Sequence, residues 1–127
     1  MKTCRVLAAL GILCLLSWAS CTGGKVTPVY AVRTGGDPQR GRELIVKFDC
    51  GSCHVIPGIQ HALGTVGPPL TDMARRTMIA GEVPNTPVNM VRWIQSPQSI
   101  EPNTAMPTLG LNEQQARDVA AYLYTLR

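Results

Sequence analysis

Three segments of the chain carry apolar side chains at the spacing of an α-helix, and the first begins at Asp37-Pro38. Aspartate can cap the free N–H groups of a first helical turn, and proline suits the first helical position because its missing donor costs nothing there. The apolar stripe of this segment consists of Leu44, Ile45 and Phe48. Gly41 lies on the same segment, which suggests a close contact with another helix. The pattern predicts a helix that ends just before Cys50.

The other two segments also have signals for their ends. In the last one, Asn112 is followed three residues later by Gln115, which is the pattern of a capping box. Its predicted buried face consists of Ala116, Val119, Ala120, Leu123 and Leu126. The middle segment opens at Thr86-Pro87 and stops before Pro97. Its predicted inward residues are Val88, Val91 and Ile94.

A further short helix is predicted over residues 71–80, with Gly81 after its end. Two stretches with several prolines, residues 64–70 and 99–110, are predicted to be loops. The sequence has no β-hairpin signal and no internal repeat. The predicted fold class is therefore all-α.

The N-terminal residues follow a different pattern. Lys2 and Arg5 precede an almost wholly apolar run, residues 6–18, which is typical of a secretory signal and short for a membrane-spanning helix. No later segment is long and apolar enough to span a membrane, so we expect export. The expected organisation is a signal peptide over residues 1–20, a flexible tether over 21–36 and one folded domain over 37–127.

The run Cys50-Gly-Ser-Cys53-His54 carries the chemistry of the chain. Cys-x-x-Cys-His is the attachment signature of c-type haem. Two thioethers must reach two vinyl groups on one edge of the macrocycle, and two intervening residues let one tight turn present both sulfurs. The adjacent histidine then supplies the proximal ligand of the iron. The motif predicts one covalently bound haem c.

Three other interpretations of the two cysteines are weaker. A thioredoxin-type redox disulfide requires a βαβ frame, and no strands are predicted. A zinc site with His54 and His61 lacks a second ligand pair at zinc-finger spacing. A structural disulfide in an exported protein would make the position of His54 a coincidence. Each of them leaves part of the pattern unexplained.

Charge and aromatic content narrow the function further. From residue 22 onward, ten Lys or Arg stand against eight Asp or Glu, which gives a formal charge of +2. The basic residues are scattered and not interleaved with aromatic ones, which argues against nucleic acid as a partner. The few aromatic residues would fill a core poorly alone, and a buried macrocycle would supply the missing apolar volume.

From residue 37 to 127 the chain resembles a class I c-type cytochrome, the family of mitochondrial and bacterial cytochrome c. The helix with Gly41 and the terminal helix with Ala-Ala-Tyr122-Leu resemble the two helices that cross beside the haem in that family. Gly-Pro68-Pro-Leu70 resembles the family's Gly-Pro-x-Leu loop. The resemblance implies that the carbonyl of Pro68 accepts a hydrogen bond from Nδ1 of His54, and that Leu70 lies in the haem environment.

The resemblance also implies a sixth iron ligand. Candidates are Met73, Met78, Met90, Met106 and His61. Met106-Pro107 resembles the family's axial methionine loop, so Met106 is the expected distal ligand. The other methionines lie in predicted helices and fit core packing, and His61 is expected to be exposed. Trp93 is expected in the haem environment, binding a propionate through its indole N–H, although core packing fits it nearly as well.

Cys21 would be an odd thiol in an exported chain, and its presence requires a reason. Ala19-Ser20-Cys21 fits bacterial lipoprotein processing, in which the first mature residue is an acylated cysteine, although Trp18 departs from that pattern. The competing cut would follow Ala19. Of the two, we favour membrane attachment through acylated Cys21.

The resemblance implies a His/Met-ligated electron-transfer protein rather than an enzyme. We expect a one-electron carrier of a bacterial respiratory chain, located in the periplasm, whose redox partners are a dehydrogenase or a terminal oxidase. Two alternatives stay open. One is a fixed electron-transfer subunit of a membrane oxidase or dehydrogenase complex. The other is an open-site haem protein that binds gas or acts on peroxide.

Overall fold

The computed structural model describes residues 34–127, and most of the regular structure in that range is helical. Within it the chain forms three α-helices, α1 (Pro38–Lys47), α2 (Pro87–Gln95) and α3 (Glu113–Leu123). Short 3₁₀ turns lie at Cys50–Ser52, Met73–Arg75 and Pro97–Ser99. Two short strands, β1 (Met78–Ile79) and β2 (Val83–Pro84), pair in an antiparallel hairpin.

Helices α1 and α3 pack at very close range, as the glycine in α1 predicts. A Cβ atom placed on Gly41 would lie only 2.0 Å from the carbonyl oxygen of Asp118 and 3.1 Å from Cβ of Tyr122. No side chain fits in that gap, so the backbone of α1 rests directly on α3. The predicted apolar face of α3 is confirmed, since its residues 116, 119, 120, 123 and the following 126 are at most 8% exposed.

A buried carboxylate fixes the same helix pair, and the apolar pattern does not indicate it. Asp118 is 3% exposed. Its carboxylate accepts hydrogen bonds from the backbone N–H of Asp37 at 2.7 Å, from Nε of Arg40 at 3.0 Å and from Nε2 of Gln114 at 3.1 Å. Burial by itself would raise the pKa of Asp118, but these bonds from Arg40, Asp37 and Gln114 together lower it below the usual aspartate value.

The N-terminal caps predicted for α1 and α3 are confirmed. The side chain of Asp37 accepts the N–H groups of Gln39 and Arg40 at the start of α1. The side chain of Thr86 caps α2, and α3 starts with the predicted capping box of Asn112 and Gln115. These local bonds account for the start of each helix where the sequence predicts it.

One predicted inward residue of α2 is wrong. Val88 is 76% exposed, whereas Val91, Ile94 and also Met90 are buried. At 100° per residue, Met90, Val91 and Ile94 share one face of the helix and Val88 lies away from it. The apolar stripe that packs into the core therefore starts two residues later than predicted.

The short helix predicted over residues 71–80 is also wrong. The segment forms the Met73–Arg75 turn and then strand β1, so the fold includes a hairpin that the sequence analysis did not predict. Asp72 and Ala80 adopt left-handed backbone conformations, which interrupt a helix. The side-chain amide of Asn85 donates to the carbonyls of Met73 and Arg76, both at 2.8 Å, and holds the segment in this path.

The predicted tether ends earlier than expected. Thr34 is 1% exposed, and its carbonyl accepts a hydrogen bond from Nη1 of Arg117 in α3 at 2.9 Å. The last three residues of the predicted tether, 34–36, are therefore part of the folded domain. The predicted signal peptide, Cys21 and the rest of the tether lie outside the described residues. Among the helices of residues 34–127, none has the length and apolar character needed to cross a membrane.

Candidate functional site

The Cys-x-x-Cys-His motif lies in a tight turn directly after α1. Asp49 adopts a left-handed conformation with φ of 52°, which turns the chain out of the helix. The 3₁₀ turn Cys50–Ser52 follows, and the carbonyl of Cys50 accepts the N–H of Cys53 at 3.3 Å and of His54 at 3.1 Å. The turn thus holds the five residues of the motif, including both thiols and the imidazole, close together.

The two thiols are free, so the structure contains no Cys50–Cys53 disulfide. Burial raises the pKa of the Cys50 thiol, which is the opposite of the lowered pKa that activates a thioredoxin-type cysteine. Residues 34–127 also contain no group of three or more His, Cys, Asp or Glu that could hold a metal ion.

A loop runs alongside the motif and is bonded to it at alternate positions. The N–H of Gly64 donates to the carbonyl of Gly51 at 3.1 Å, and the N–H of Gly67 donates to that of Cys53 at 2.8 Å. This pairing brings the Gly-Pro-Pro-Leu stretch beside the imidazole of His54. The backbone bonds therefore set the position of the loop relative to the histidine.

The imidazole of His54 is oriented by this loop. Nδ1 lies 2.8 Å from the carbonyl oxygen of Pro68, the contact that the family resemblance implies. Since a carbonyl can only accept, Nδ1 carries the proton and Nε2 is the ring nitrogen left for a metal. A Cβ atom on Gly67 would lie 2.2 Å from Cε1 of His54, so the loop can come this close only with glycine there.

Three polar side chains that the sequence analysis missed hold the far end of this loop. Nη2 of Arg76 donates to the carbonyls of Pro69 and Thr71. Asn85 binds the segment that carries Arg76, and the hydroxyl of Tyr124 donates to Oδ1 of Asn85 at 2.7 Å. No residue spacing signals these contacts, because they depend on how the turns come together in the folded chain.

One hydrogen bond links the helix pair to the site. The hydroxyl of Tyr122 in α3 donates to the carbonyl of Pro57, three residues after His54, at 2.7 Å. Burial raises the pKa of this phenol, so it stays protonated and remains a donor. The chain that leaves the motif is thereby fastened to the terminal helix.

The predicted ligand Met106 lies half-buried in the irregular segment between the Pro97–Ser99 turn and α3. Met73 and Met90 are 6% and 1% exposed and belong to the core, as expected, although only Met90 is helical. Met78 is 42% exposed and lies in β1, so its predicted place in a helical core is wrong.

The other residues predicted near the haem have different surroundings. His61 is exposed, as expected. Leu70 and Trp93, which we predicted in the haem environment, are both half-buried and pack against the core.

The fold and the site together define a small helical domain with a haem-attachment turn. The family model described as Cytochrome c matches residues 38–127, and the chain belongs to this family. Its cofactor is accordingly haem c, which is covalently bound and contains iron. The residues present fit that group, since two free thiols lie on one turn beside an imidazole whose Nε2 is available.

Two curated relatives carry the same name, cytochrome c oxidase subunit 2. The one from Alkalihalophilus pseudofirmus is 32% identical over 89 residues, which cover 69% of this chain and 25% of the relative. The one from Bacillus sp. (strain PS3) is 30% identical over 89 residues, covering 67% of this chain and 25% of the relative. The chain therefore spans about a quarter of the length of these relatives. Membership of the Cytochrome c family indicates electron transfer.

Proposed function

We propose that this chain is a single-haem electron-transfer protein that takes up and passes on one electron at a time. Cys50 and Cys53 would form the two thioether bonds, His54 would be the proximal iron ligand, and Met106 the distal one. The observation that carries the proposal is the hydrogen bond of 2.8 Å between Nδ1 of His54 and the carbonyl of Pro68. When bound, the haem supplies the one-electron couple.

The contact between His54 and Pro68 has two chemical effects. It fixes the ring in one orientation, with Nε2 as the metal-binding nitrogen, and it increases the basicity of the ligand. The ring is held from a loop that is itself bonded to the motif and to Arg76. A ligand that moves little during a change of iron charge suits an electron carrier.

A thioether bound to the iron from Met106 would be consistent with the same role. A neutral, soft sulfur favours ferrous over ferric iron and raises the reduction potential. It also denies oxygen and peroxide access to the metal. With Met106 in this position the domain would transfer electrons rather than catalyse a reaction of its own.

Two settings for this electron transfer are supported by different observations. The small domain size and the predicted export favour a carrier in the periplasm of a bacterial respiratory chain, attached to the membrane through acylated Cys21. The names of the relatives favour an oxidase as its electron acceptor, or a fixed place as a subunit of such a complex. We propose the carrier, with a terminal oxidase as acceptor and a dehydrogenase or other redox protein as donor.

The ligand assignment is tested by spectroscopy of the haem-loaded protein. We expect a weak methionine–iron charge-transfer band at the red edge of the ferric spectrum, present in the wild type and lost in Met106→Ala. Met78→Ala, which removes an exposed methionine, is the matched control and should keep the band. Rapid binding of carbon monoxide by the ferrous wild type at neutral pH would contradict the proposal and favour an open-site haem protein.

The carrier and the fixed subunit are distinguished by isolating the chain from its native membranes. A carrier should separate from an oxidase at moderate salt, because its contacts with partners are transient. Retention in a stoichiometric complex through detergent and salt washes would contradict the carrier and establish a subunit.

A further inference from the structure

Two glutamine side chains bind the segment that carries Met106: Nε2 of Gln95 donates to the carbonyl oxygen of Leu111 at 3.3 Å, and Gln98 binds next to Met106 itself. Nε2 of Gln98 donates to the carbonyl oxygen of Met106 at 2.7 Å, and Oε1 of Gln98 accepts from the hydroxyl of Thr108 at 2.7 Å. The two bonds use both ends of the amide, so its orientation is fixed. One glutamine thereby joins the residues on both sides of Pro107.

Gln98 itself is held on a rigid support. It lies in the turn Pro97–Ser99, whose first residue is among the most deeply buried of the described chain. Arg92 of α2 donates to the carbonyl of Ser99 at 2.9 Å and to its hydroxyl at 3.2 Å. The turn is therefore bonded to the helix, and Gln98 extends from a fixed point towards Met106.

The segment around Met106 has few other restraints. In the described chain, residues 105–111 make no backbone-to-backbone hydrogen bond. The N–H of Met106 donates to the hydroxyl of Thr104 at 3.2 Å, which is a bond within the segment itself. The bond from Gln95 reaches the far end of the segment, five residues after Met106, so the polar link next to Met106 itself is the Gln98 amide.

We propose that Gln98 is a positioning residue for Met106, which keeps the thioether on the iron and so resists its displacement by other ligands. The proposal rests on the assignment of Met106 as the distal ligand. The amide of Gln98 both donates to Met106 and accepts from Thr108, whereas a carboxylate of the same shape can only accept. Gln98→Glu would turn the contact with the Met106 carbonyl from attractive to repulsive and keep the one with Thr108.

The experiment titrates imidazole into the ferric haem-loaded protein and follows the loss of the methionine–iron band. We expect Gln98→Glu to bind imidazole about tenfold more tightly than the wild type, which corresponds to about 1.4 kcal/mol and is the usual size of a hydrogen bond. Thr108→Val, which removes the group that orients the amide, should shift the affinity in the same direction by less. Gln39→Glu, the same change on an exposed turn of α1, is the matched control and should bind imidazole as the wild type does.

The outcomes separate this proposal from the ligand assignment. A wild type that shows the band, with Gln98→Glu unchanged in imidazole affinity, overturns the positioning role and leaves Met106 as ligand. The role is also overturned if Gln98→Glu lowers the free energy of unfolding without changing imidazole affinity, since that is the signature of a purely structural contact. A wild type without the band overturns both, because there is then no thioether for Gln98 to hold.

Discussion

The helix pair α1–α3 and the loops that carry His54 and Met106, the proposed iron ligands, are held together in different ways. In the helix pair, backbone touches backbone at Gly41, and the buried Asp118 collects hydrogen bonds from both helices. In the loops, single bonds from side chains to carbonyls fix the path of the chain, such as those to Pro69 and Met106. The first region is a packed core, and the second is a set of restrained turns.

Because of this difference, we expect the two regions to determine different properties of the protein. Close packing of the helices should govern the free energy of unfolding, because a change there cannot be absorbed locally. The restrained turns should govern the coordination of the iron, because their bonds restrain the segments that carry His54 and Met106, the proposed ligands. Variants can therefore test the two regions with two independent measurements, unfolding in urea and the absorption spectrum of the haem.

The largest effect is expected from Gly41→Ala. In an open helix this change would stabilise the protein by up to about 1 kcal/mol. Here the new methyl group would overlap the Asp118 carbonyl at 2.0 Å, so we expect a loss of about 3 kcal/mol. Urea unfolding measures it, with Gln39→Ala on the same helix as control. A stabilised variant would contradict the close contact between the helices. Loss of the methionine–iron band in the folded protein would show that the helix pair also affects the coordination of the iron.

A smaller effect, with a dependence on pH, is expected from Asp118→Asn. Loss of the charged bond from Arg40 should cost about 2 kcal/mol at neutral pH, as charge-assisted bonds usually do. The pKa of Asp118 is lowered in the folded protein, so this stabilisation is present above the ordinary aspartate pKa of about 3.9 and is lost as the pH falls through the folded value.

The comparison to make is therefore the difference in unfolding free energy between the wild type and Asp118→Asn over a range of acidic pH. It should shrink below about pH 4, where the unfolded carboxyl takes up its proton. Glu113→Gln, which removes an exposed ion pair with Arg117 on the same helix, should show a difference of less than about 1 kcal/mol throughout. A difference for Asp118→Asn that is independent of pH would contradict the assigned role of its charge.

The smallest effect on stability, but a large one on the iron, is expected from Gly67→Ala. Its methyl group would meet Cε1 of His54 at 2.2 Å, and the ring would have to leave the carbonyl of Pro68. We expect a loss of about 1 kcal/mol, the value of one hydrogen bond, together with a changed ferric spectrum. Val66→Ala, the exposed neighbour, should leave both unchanged. An unaltered spectrum in Gly67→Ala would show that the loop does not orient the ligand.

The sequence predicted the helices well because their signals are local. Capping residues such as Asp37 and Thr86 lie next to the helix that they start, and the apolar period of α3 repeats within eleven residues. The helix contact at Gly41 was predictable for the same reason, since a glycine inside an apolar helical pattern often marks a place where two backbones meet. Val88 was misplaced because an apolar residue in a first turn does not reveal which face becomes buried.

The site was predictable only where a motif or a family resemblance names its residues. The contact between His54 and Pro68 follows from the resemblance, whereas Gln98, Arg76 and Asn85 act through bonds to backbone carbonyls across turns. The hairpin over residues 78–84 was missed because the apolar spacing of residues 71–80 also fits a helix. The side-chain amide of Asn85 binds the carbonyls of Met73 and Arg76, so these carbonyls do not accept helical hydrogen bonds. Such choices depend on tertiary contacts that spacing along the chain does not encode.

The bonds that hold the residues just before α1 have a mechanical consequence. The carbonyl of Thr34 is held by Arg117, and the N–H of Asp37 by Asp118, so the first residues of the domain are fastened to its last helix. A pulling force on the chain before Thr34 would act first on α3 and its contact with α1. Part of that load would reach the turn around His54 through the hydrogen bond from Tyr122 to the carbonyl of Pro57, whereas the segment of Met106, which is bonded to Gln98, would carry less of it.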